Sequence, residues 1–161
     1  VILIGKTEGH IDQSLFARTI LDEKNGPPPE VNLFNEKNNG ESLLDLIDKN
    51  YIKSAHDISL GGLITALSKM CIQGNKGIKL NKSKNLINEI EYFFAEDQGR
   101  YLIEINPKDF DEVTNILNKN SVHYEKLGTI IEKEMIINDK TKVTIDELKS
   151  YNTSWLLKYM S

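Results

Sequence analysis

The chain alternates between two hydrophobic periods, and these predict a mixed α/β fold. Short apolar or alternating runs predict strands, whereas apolar residues at three- and four-residue spacing predict helices. The predicted strands cover residues 1–6, 52–58, 77–80, 100–106, 123–131 and 135–143. The predicted helices cover residues 12–24, 43–51, 63–74, 107–117 and 144–160, with a short helical turn at 33–34. We therefore expect an α/β (α+β) domain, with a mixed sheet of about five or six strands and helices packed on it.

Polar residues, glycines and prolines mark the ends of the elements in the first half. Asp12 or Ser14 is expected to cap the first helix, which closes near Lys24. Three prolines at residues 27–29 then predict an extended spacer. The Asn-Asn-Gly sequence at residues 38–40 interrupts the next helical pattern and predicts a break there.

The second half carries its own boundary signals. Residues 76–88 are polar and rich in lysine around the short strand 77–80, and residues 132–134 are expected to turn a hairpin between the last two strands. Thr144 followed three residues later by Glu147 is the capping-box arrangement at the start of the last helix. The sequence has no repeat, low-complexity run or long linker, so we expect one domain over residues 1–161.

Composition and charge exclude several classes of protein. Apolar residues make up 39% of the 161 residues and the net charge is only −4, which excludes wholesale disorder. A mildly acidic chain lacks the basic patch of a nucleic-acid-binding protein. No apolar run reaches the roughly 18–20 residues of a membrane span. Cys71 is the single cysteine, so there is no internal disulfide, and we expect a cytoplasmic protein. Because Val1 already opens a strand-like run, we expect the chain to be cut from a longer one.

The first candidate site is the sequence Ser-Ala-His-Asp-Ile-Ser-Leu-Gly-Gly-Leu at residues 54–63. It places His56, Asp57 and Ser59 at the end of a strand and Gly61 and Gly62 at the start of a helix. Exposed N–H groups and the helix dipole at such a start favour phosphates and carboxylates. Asp57 or Ser59 as a simple helix cap explains the same pattern, so both interpretations stay open.

The second candidate site is the sequence Phe-Ala-Glu-Asp-Gln-Gly-Arg at residues 94–100. Glu96, Asp97, Gln98 and Arg100 combine two carboxylates, an amide and a guanidinium ahead of a strand, and Arg100 is one of only two arginines. Such groups bind magnesium or a polar ligand. A solvated turn, in which a carboxylate pairs with Arg100, is the alternative.

No other segment predicts catalysis by this chain alone. The Gly-Lys-Thr sequence at residues 5–7 resembles the end of a phosphate-binding P-loop. That motif also requires a glycine further upstream, and residues 1–4 contain no glycine. His10 and His123 are isolated from other metal-ligating residue types, and Cys71 lies on an apolar helical face. We therefore assign no catalytic residue and no metal ligand.

Taken in order, the motifs resemble one family. Residues 5–16 resemble its Gly-x-Thr-x-x-Glu-Leu-Gly-Gly-Ser-x-Tyr stretch, and residues 54–63 its Ser-Ala-His-Asp-x-Ser-x-Gly-Gly-Leu motif. Residues 94–100 resemble Phe-Ser-Glu-x-Gln-Gly-Arg, and residues 26–29 and 127–130 match shorter signatures. The chain resembles phosphoribosylformylglycinamidine synthase, in the C-terminal domain of its synthetase portion (subunit II), within the aminoimidazole ribonucleotide synthetase-like superfamily. Leu60 stands where that family has Asp, and residues 11–13 replace Leu-Gly-Gly.

The resemblance implies a function for the full enzyme. By this resemblance, the full enzyme is a bacterial ligase of purine biosynthesis that uses ATP and magnesium to activate the amide oxygen of formylglycinamide ribonucleotide. Ammonia from glutamine then attacks the activated carbon to give the amidine. The implied partners are the remaining synthetase domains of the same chain and a glutaminase domain or subunit. ATP and magnesium belong to the full enzyme, and this domain is expected to need no cofactor of its own.

The resemblance also implies which residues contact a ligand. In the family's first synthetase copy, a segment matching residues 96–98 helps to hold the substrate, and this chain resembles the second copy, which is degenerate or holds an auxiliary nucleotide. The candidate contacts to substrate or nucleotide are His56, Asp57, Ser59, Gly61, Gly62, Glu96, Asp97, Gln98 and Arg100. Two alternatives remain: an interaction module that packs against other domains, and the C-terminal domain of a relative such as selenophosphate synthetase.

Overall fold

The computed structural model describes residues 1–81 and 87–161, in which eight strands form two four-stranded sheets. The strands are β1 (Ile2–Ile4), β2 (Ile52–Asp57), β3 (Gly77–Leu80), β4 (Tyr101–Ile105), β5 (Tyr124–Lys126), β6 (Gly128–Ile131), β7 (Glu134–Ile137) and β8 (Thr141–Thr144). The first sheet has the order β2-β4-β1-β5 and the second has the order β6-β3-β7-β8. The mixed α/β class is confirmed, but its strands are shared between two sheets and do not form one sheet of five or six.

Five α-helices accompany the strands in the described residues. They are α1 (Leu33–Asp48), α2 (Gly62–Gly74), α3 (Glu89–Phe94), α4 (Phe110–Lys119) and α5 (Ile145–Met160), with a π-helical turn at Ala17–Leu21 and a 3₁₀ turn at Pro107–Asp109. Part of the lysine-rich segment predicted at residues 76–88 lies outside the described residues, because residues 82–86 are not among them.

The described residues group into two compact units. The first contains residues 1–66 and 87–126, and it holds the first sheet together with α1, α3 and α4. The second contains residues 67–81 and 127–161, and it holds the second sheet and α5. Helix α2 begins in the first unit and continues in the second.

The core of the first unit forms because β1 is apolar at every position and central in its sheet. β1 pairs antiparallel with β4 on one side and β5 on the other. Alternate residues of a strand share one face, and here Ile2 and Ile4 join Leu46 of α1 with Val113 and Leu117 of α4 in one buried cluster. Fully burying each such side chain stabilises the fold by about 1.5–3 kcal/mol.

Glycines explain why the C-terminal strands depart from the predicted hairpin. Strands β6 and β7 do not pair with each other; both pair with β3, antiparallel and parallel respectively, and the hairpin joins β7 to β8. A Cβ at Gly77 would lie 2.1 Å from the carbonyl oxygen of Glu134, and one at Gly128 would lie 2.0 Å from that of Lys79. Only glycine permits this approach, which inserts β3 between β6 and β7.

The same segment shows why residues 123–131 are two strands and not the single strand predicted. β5 belongs to the first sheet and β6 to the second, with only Leu127 between them. The apolar residues at 124, 127, 130 and 131 do not alternate, so hydrophobic periodicity does not detect the change of sheet.

Two predicted helices have different limits in the structure. The helix expected over residues 12–24 is only a π-helical turn, because Gln13 and Asp22 at its two ends take left-handed backbone angles (φ 62° and 55°). Ser14, one of the two expected caps, accepts a hydrogen bond from the N–H of Ala17 at 3.1 Å. The break expected at residues 38–40 is absent, since α1 runs through it as a continuous helix.

The capping box at the start of α5 is confirmed. The N–H of Glu147 donates to Thr144 Oγ1 at 3.2 Å, and Glu147 Oε2 accepts from the N–H and the hydroxyl of Thr144 at 2.8 and 2.7 Å. These two hydrogen bonds lower the pKa of the Glu147 carboxyl from its usual value.

We expect Thr144→Ala to lower the free energy of unfolding by about 1 kcal/mol, the usual value of an N-cap. The loss should shrink as the pH falls, because a carboxyl with a lowered pKa stabilises the fold above its unfolded pKa and loses that effect as it becomes protonated. Urea denaturation at neutral and acidic pH measures both effects. Thr153→Ala, which removes a hydroxyl bonded only to Lys149 O inside α5, is the control. A loss that is equal at both pH values would contradict the capping role of Glu147.

Candidate functional site

The turn from β2 to α2 places the His-Asp-Ser part of the first motif at the surface of the first unit. His56 is half-buried, and its Nδ1 lies 2.5 Å from the carbonyl oxygen of Asp57 and 3.4 Å from the Asp57 carboxylate. The side chain of Asp57 is 66% exposed. Ser59 is also exposed, and its backbone carbonyl accepts the N–H of Gly62. Asp57 and Ser59 are therefore exposed to solvent, whereas His56 contacts Asp57.

The two glycines of the turn are required by its backbone geometry. Gly61 and Gly62 have φ angles of +86° and +70°, which side chains of L-residues rarely adopt. A Cβ at Gly62 would lie 2.7 Å from the carbonyl oxygen of Ala95 and 2.8 Å from that of Phe93. The glycine corner, which we define as residues 59–62, thus packs directly on the end of α3 and on the segment that carries the second motif.

Glu96 joins this corner to the N-terminal part of the chain. A single carboxylate oxygen, Oε1, accepts the N–H of Gly61 at 2.8 Å and the N–H of Leu15 at 2.7 Å. The backbone N–H of Glu96 donates to the carbonyl of His10 at 3.1 Å. One residue therefore connects three segments that lie far apart in the sequence.

Asp97 is buried and binds the adjacent loop with both oxygens. Its Oδ2 accepts the N–H groups of Glu8 and Gly9 at 3.0 and 3.1 Å, and its Oδ1 accepts the N–H of His10 at 3.1 Å. Three successive N–H groups that converge on one anion form the arrangement called a nest. The Asp97 carboxylate therefore holds the loop and has no oxygen without a hydrogen bond.

Arg100 is 1% exposed and lies beneath this loop. Its guanidinium donates to Thr7 Oγ1 at 2.9 Å and to the carbonyls of Ala95 and Asp97 at 2.6 and 3.2 Å. The Asp97 carboxylate lies 3.8 Å away. Burial lowers the pKa of Arg100 from its usual value, and the charge of Asp97 opposes that shift. The alternative interpretation made for this segment, a carboxylate paired with Arg100, is correct in part, but the pair is buried and not solvated.

An open pocket of about 390 Å³ lies beside these residues in the first unit. Amide side chains of Asn32, Asn35, Asn39 and Gln98 line it. Asn39 is nearly buried and donates to the carbonyl of Gly99 at 2.8 Å, which fixes one wall. Gln98 is exposed and makes one long hydrogen bond of 3.4 Å to the Glu96 carbonyl. The Gln98 amide is thus available to a ligand.

The charges around the pocket are mainly negative. Glu8, Glu30, Glu36 and Asp97 line it together with a single lysine, Lys6, and that lysine pairs with Glu8 at 2.8 Å. Negative charge also acts on Tyr101. Burial is the main cause that raises the pKa of its hydroxyl, and the charges of Glu36 and Asp57 raise it further. Coulomb repulsion therefore disfavours a bare anion in this pocket.

The sequence analysis did not identify the α1 wall of the pocket. Asn32, Asn35 and Asn39 recur at helical spacing on one face of α1, and Asn32 also caps the helix by accepting the N–H of Asn35 at 3.0 Å. This spacing of asparagines is visible in the sequence, but the Asn-Asn-Gly sequence at residues 38–40 favours a break in the helix instead. Gly40 lies within the helix at a contact with the Tyr101 hydroxyl, where a Cβ would be 3.8 Å away.

The structure brings the two predicted motifs together. Gly61, Gly62, Glu96, Asp97 and Arg100 are connected by the contacts described above, and their polar groups are used within the chain. Asp57, Ser59 and Gln98 are exposed, whereas His56 is partly buried. Ligand contact by any of the nine remains a prediction.

Comparison with known proteins identifies the family. A family model described as AIR synthase related protein, C-terminal domain, matches residues 1–139. The chain belongs to this family. The match covers the whole first unit and most of the second sheet.

The most similar relatives found are named phosphoribosylformylglycinamidine synthase subunit PurL. The protein from Pelagibacter ubique (strain HTCC1062) is 65% identical over 160 residues, and that from Bartonella bacilliformis is 38% identical over 160 residues. Each alignment covers 99% of this chain and 22% of the relative. This AIR synthase related domain therefore spans about a fifth of the length of the relatives that it matches.

Solved structures share the fold of this AIR synthase related domain. A structure titled T. maritima PurL complexed with FGAR superposes with a TM-score of 0.75 at 20% identity, covering 91% of this chain and 27% of that chain. The hydrogenase maturation protein HypE of E. coli superposes with a TM-score of 0.61 at 16% identity, covering 89% and 48%. At these identities the likeness shows the fold.

Residues 1–81 and 87–161 contain neither a grouped metal site nor a membrane-spanning helix. No three His, Cys, Asp or Glu side chains in these residues are grouped to hold a metal ion. None of the helices described is long and apolar enough to cross a membrane. Burial raises the pKa of the Cys71 thiol to about 11, so the thiolate is disfavoured at neutral pH.

Proposed function

We propose that this chain is the C-terminal domain of the synthetase portion of a bacterial phosphoribosylformylglycinamidine synthase. The full enzyme would convert formylglycinamide ribonucleotide, glutamine and ATP into the amidine, as an ATP-dependent ligase of purine biosynthesis. The observation that carries this proposal is the 65% identity to a PurL subunit over 99% of the chain. In this proposal, residues 1–161 act as one C-terminal-type synthetase domain.

The domain is not catalytic alone in this proposal. General acid–base chemistry needs a titratable group within reach of the reacting atoms. The strongest candidates by residue type, Glu96, Asp97 and Arg100, are instead bound to backbone groups of their own chain. They build the scaffold, and catalysis falls to other domains of the enzyme.

The cofactors and partners follow the same assignment. Solved T. maritima PurL structures are titled as complexes with ATP, AMPPCP and ADP, and another as PurLQS. These titles support ATP as a ligand of the full enzyme and further subunits as its partners. We propose that one of these partners is a glutaminase domain or subunit and that the full enzyme acts in the cytoplasm. We propose that magnesium serves the full enzyme together with ATP and that this domain requires no cofactor of its own. The remaining synthetase domains would be the domain's direct neighbours.

The nine predicted contact residues divide into two groups. We assign ligand or domain contact to Asp57, Ser59 and Gln98, because these residues are exposed, and to the partly buried His56, which lies next to Asp57. The scaffold residues are Gly61, Gly62, Glu96, Asp97 and Arg100. This division makes Gln98 the residue of choice for testing ligand contact.

The test uses the full protein that carries this chain. We expect it to form the amidine from formylglycinamide ribonucleotide, glutamine and ATP, and we expect Gln98→Ala to weaken the binding of ATP or the ribonucleotide up to about tenfold, the effect of one lost hydrogen bond. Gln73→Ala, which removes an exposed amide of α2, is the matched control. Calorimetry and a product assay give the two readouts. A full protein that forms no amidine would refute the assignment.

A second candidate function is a module that binds neighbouring domains, and one surface favours it. Tyr151, Trp155 and Tyr159 follow one another at four-residue spacing on α5 and are 78%, 61% and 83% exposed. Large exposed apolar patches mark interaction surfaces. If Gln98→Ala leaves both ligand affinities unchanged while Trp155→Ala weakens assembly of the full protein, the module interpretation holds. The similarity to PurL subunits favours this family over a selenophosphate synthetase.

A further inference from the structure

Two adjacent carboxylates occupy two separate sets of backbone N–H donors in the first unit. Asp97 fills the nest formed by the N–H groups of residues 8–10, with three hydrogen bonds of 3.0–3.1 Å. Glu96 accepts from Gly61, at the entry to α2, and from Leu15. Nests and glycine-rich helix entries are backbone features that bind phosphates in many proteins.

We propose that Glu96 and Asp97 are resident anions that fill these two backbone sites, so that neither site takes a phosphate group from a ligand. The proposal goes beyond the assigned function, because it states which ligand group the glycine corner excludes. In this proposal Glu96 is also a positioning residue, because its Oε1 accepts the N–H of Gly61 and so keeps the glycine corner in place.

The surroundings of the corner support this exclusion. The carbonyl oxygens of Phe93 and Ala95 lie within 2.8 Å of the position that a Cβ on Gly62 would take. These oxygens carry partial negative charge next to Gly62, which disfavours a phosphate beside it. The neighbouring pocket is no alternative, because four carboxylates and a single lysine line it.

The remaining donors of the pocket select a different part of a ligand. Asn35 and Gln98 offer amide groups, which bind hydroxyl, amide or carbonyl groups without requiring charge. The ligand class that fits this pocket is therefore a neutral, polar moiety such as a sugar or an amide. Any phosphate of the same ligand is held outside the pocket and the corner.

The test follows the Leu15 and Gly61 N–H groups by hydrogen–deuterium exchange in the full protein that carries this chain. In the native protein, inorganic phosphate should leave the exchange of peptides 8–16 and 58–66 unchanged. In Glu96→Ala, exchange at both positions should accelerate about tenfold or more, and phosphate should slow it again. Glu96→Gln keeps Oε1 as an acceptor and should exchange slowly without phosphate.

A peptide covering residues 141–150 reports effects that are not local to the corner. Phosphate protection of the Gly61 peptide in the native protein would overturn the proposal. Unchanged exchange in Glu96→Ala would also overturn it, as would accelerated exchange that phosphate does not reverse. If Glu96→Ala fails to fold, the native measurement still decides it, because a native response to phosphate contradicts the resident anion.

Discussion

Replacing Arg100 by leucine should lower the free energy of unfolding by about 3–5 kcal/mol, the range expected when one partner of a buried ion pair is removed. The guanidinium donates hydrogen bonds to Thr7, Ala95 and Asp97 and is 1% exposed. Leucine fills much of the space but removes the Arg100 donors to two carbonyls and to the Thr7 hydroxyl, and it removes the positive charge beside the buried Asp97 carboxylate. Because domains are stable by only about 5–15 kcal/mol, this loss is a large fraction of the total.

The chain supplies a matched control in its other arginine. Arg18 is exposed and donates from Nε to the carbonyl of Gln13 at 2.8 Å, so Arg18→Leu should change stability by less than about 1 kcal/mol. Urea denaturation of both variants measures the difference. An Arg100→Leu protein as stable as Arg18→Leu would show that the buried bonds of Arg100 contribute little.

The sequence predicts the fold best where burial follows a single period. β1, β2, β3 and α2 agree with their predicted ranges within a few residues, and β1, β3 and α2 are apolar on one side or throughout. Prediction failed where backbone geometry decides the outcome. The insertion of β3 between β6 and β7 depends on glycines at contact points, and the length of the first helical turn depends on left-handed residues at its two ends. Neither feature produces a hydrophobic period.

The candidate site shows a similar limit. Residue types alone suggested that Glu96, Asp97 and Arg100 could contact a ligand, and the structure places this segment against Gly61 and Gly62. The sequence could not show that Asp97 meets the N–H groups of residues 8–10, because those residues lie almost ninety positions away. Long-range contacts decide whether a polar side chain serves a ligand or its own backbone.

The second large effect is expected at the glycine corner. Gly62→Ala should lower the free energy of unfolding by about 3 kcal/mol, from two causes that act together. A φ of +70° costs a residue with a Cβ about 1–2 kcal/mol. The overlap of that Cβ with the carbonyls of Phe93 and Ala95 adds a strain of about 1–3 kcal/mol, because backbone atoms cannot rotate away.

The consequence of Gly62→Ala should also be local and visible. Movement of residues 93–95 away from the corner carries Glu96 with it, so the N–H of Gly61 should lose its acceptor and exchange faster with deuterium. Gly74→Ala is the control, because a Cβ there meets nothing within 4 Å and the backbone is not left-handed. That variant should be neutral or slightly stabilising. Equal stability of the two alanine variants would mean that the corner is not packed against the end of α3, and the coupling between the two motifs would lose its physical basis.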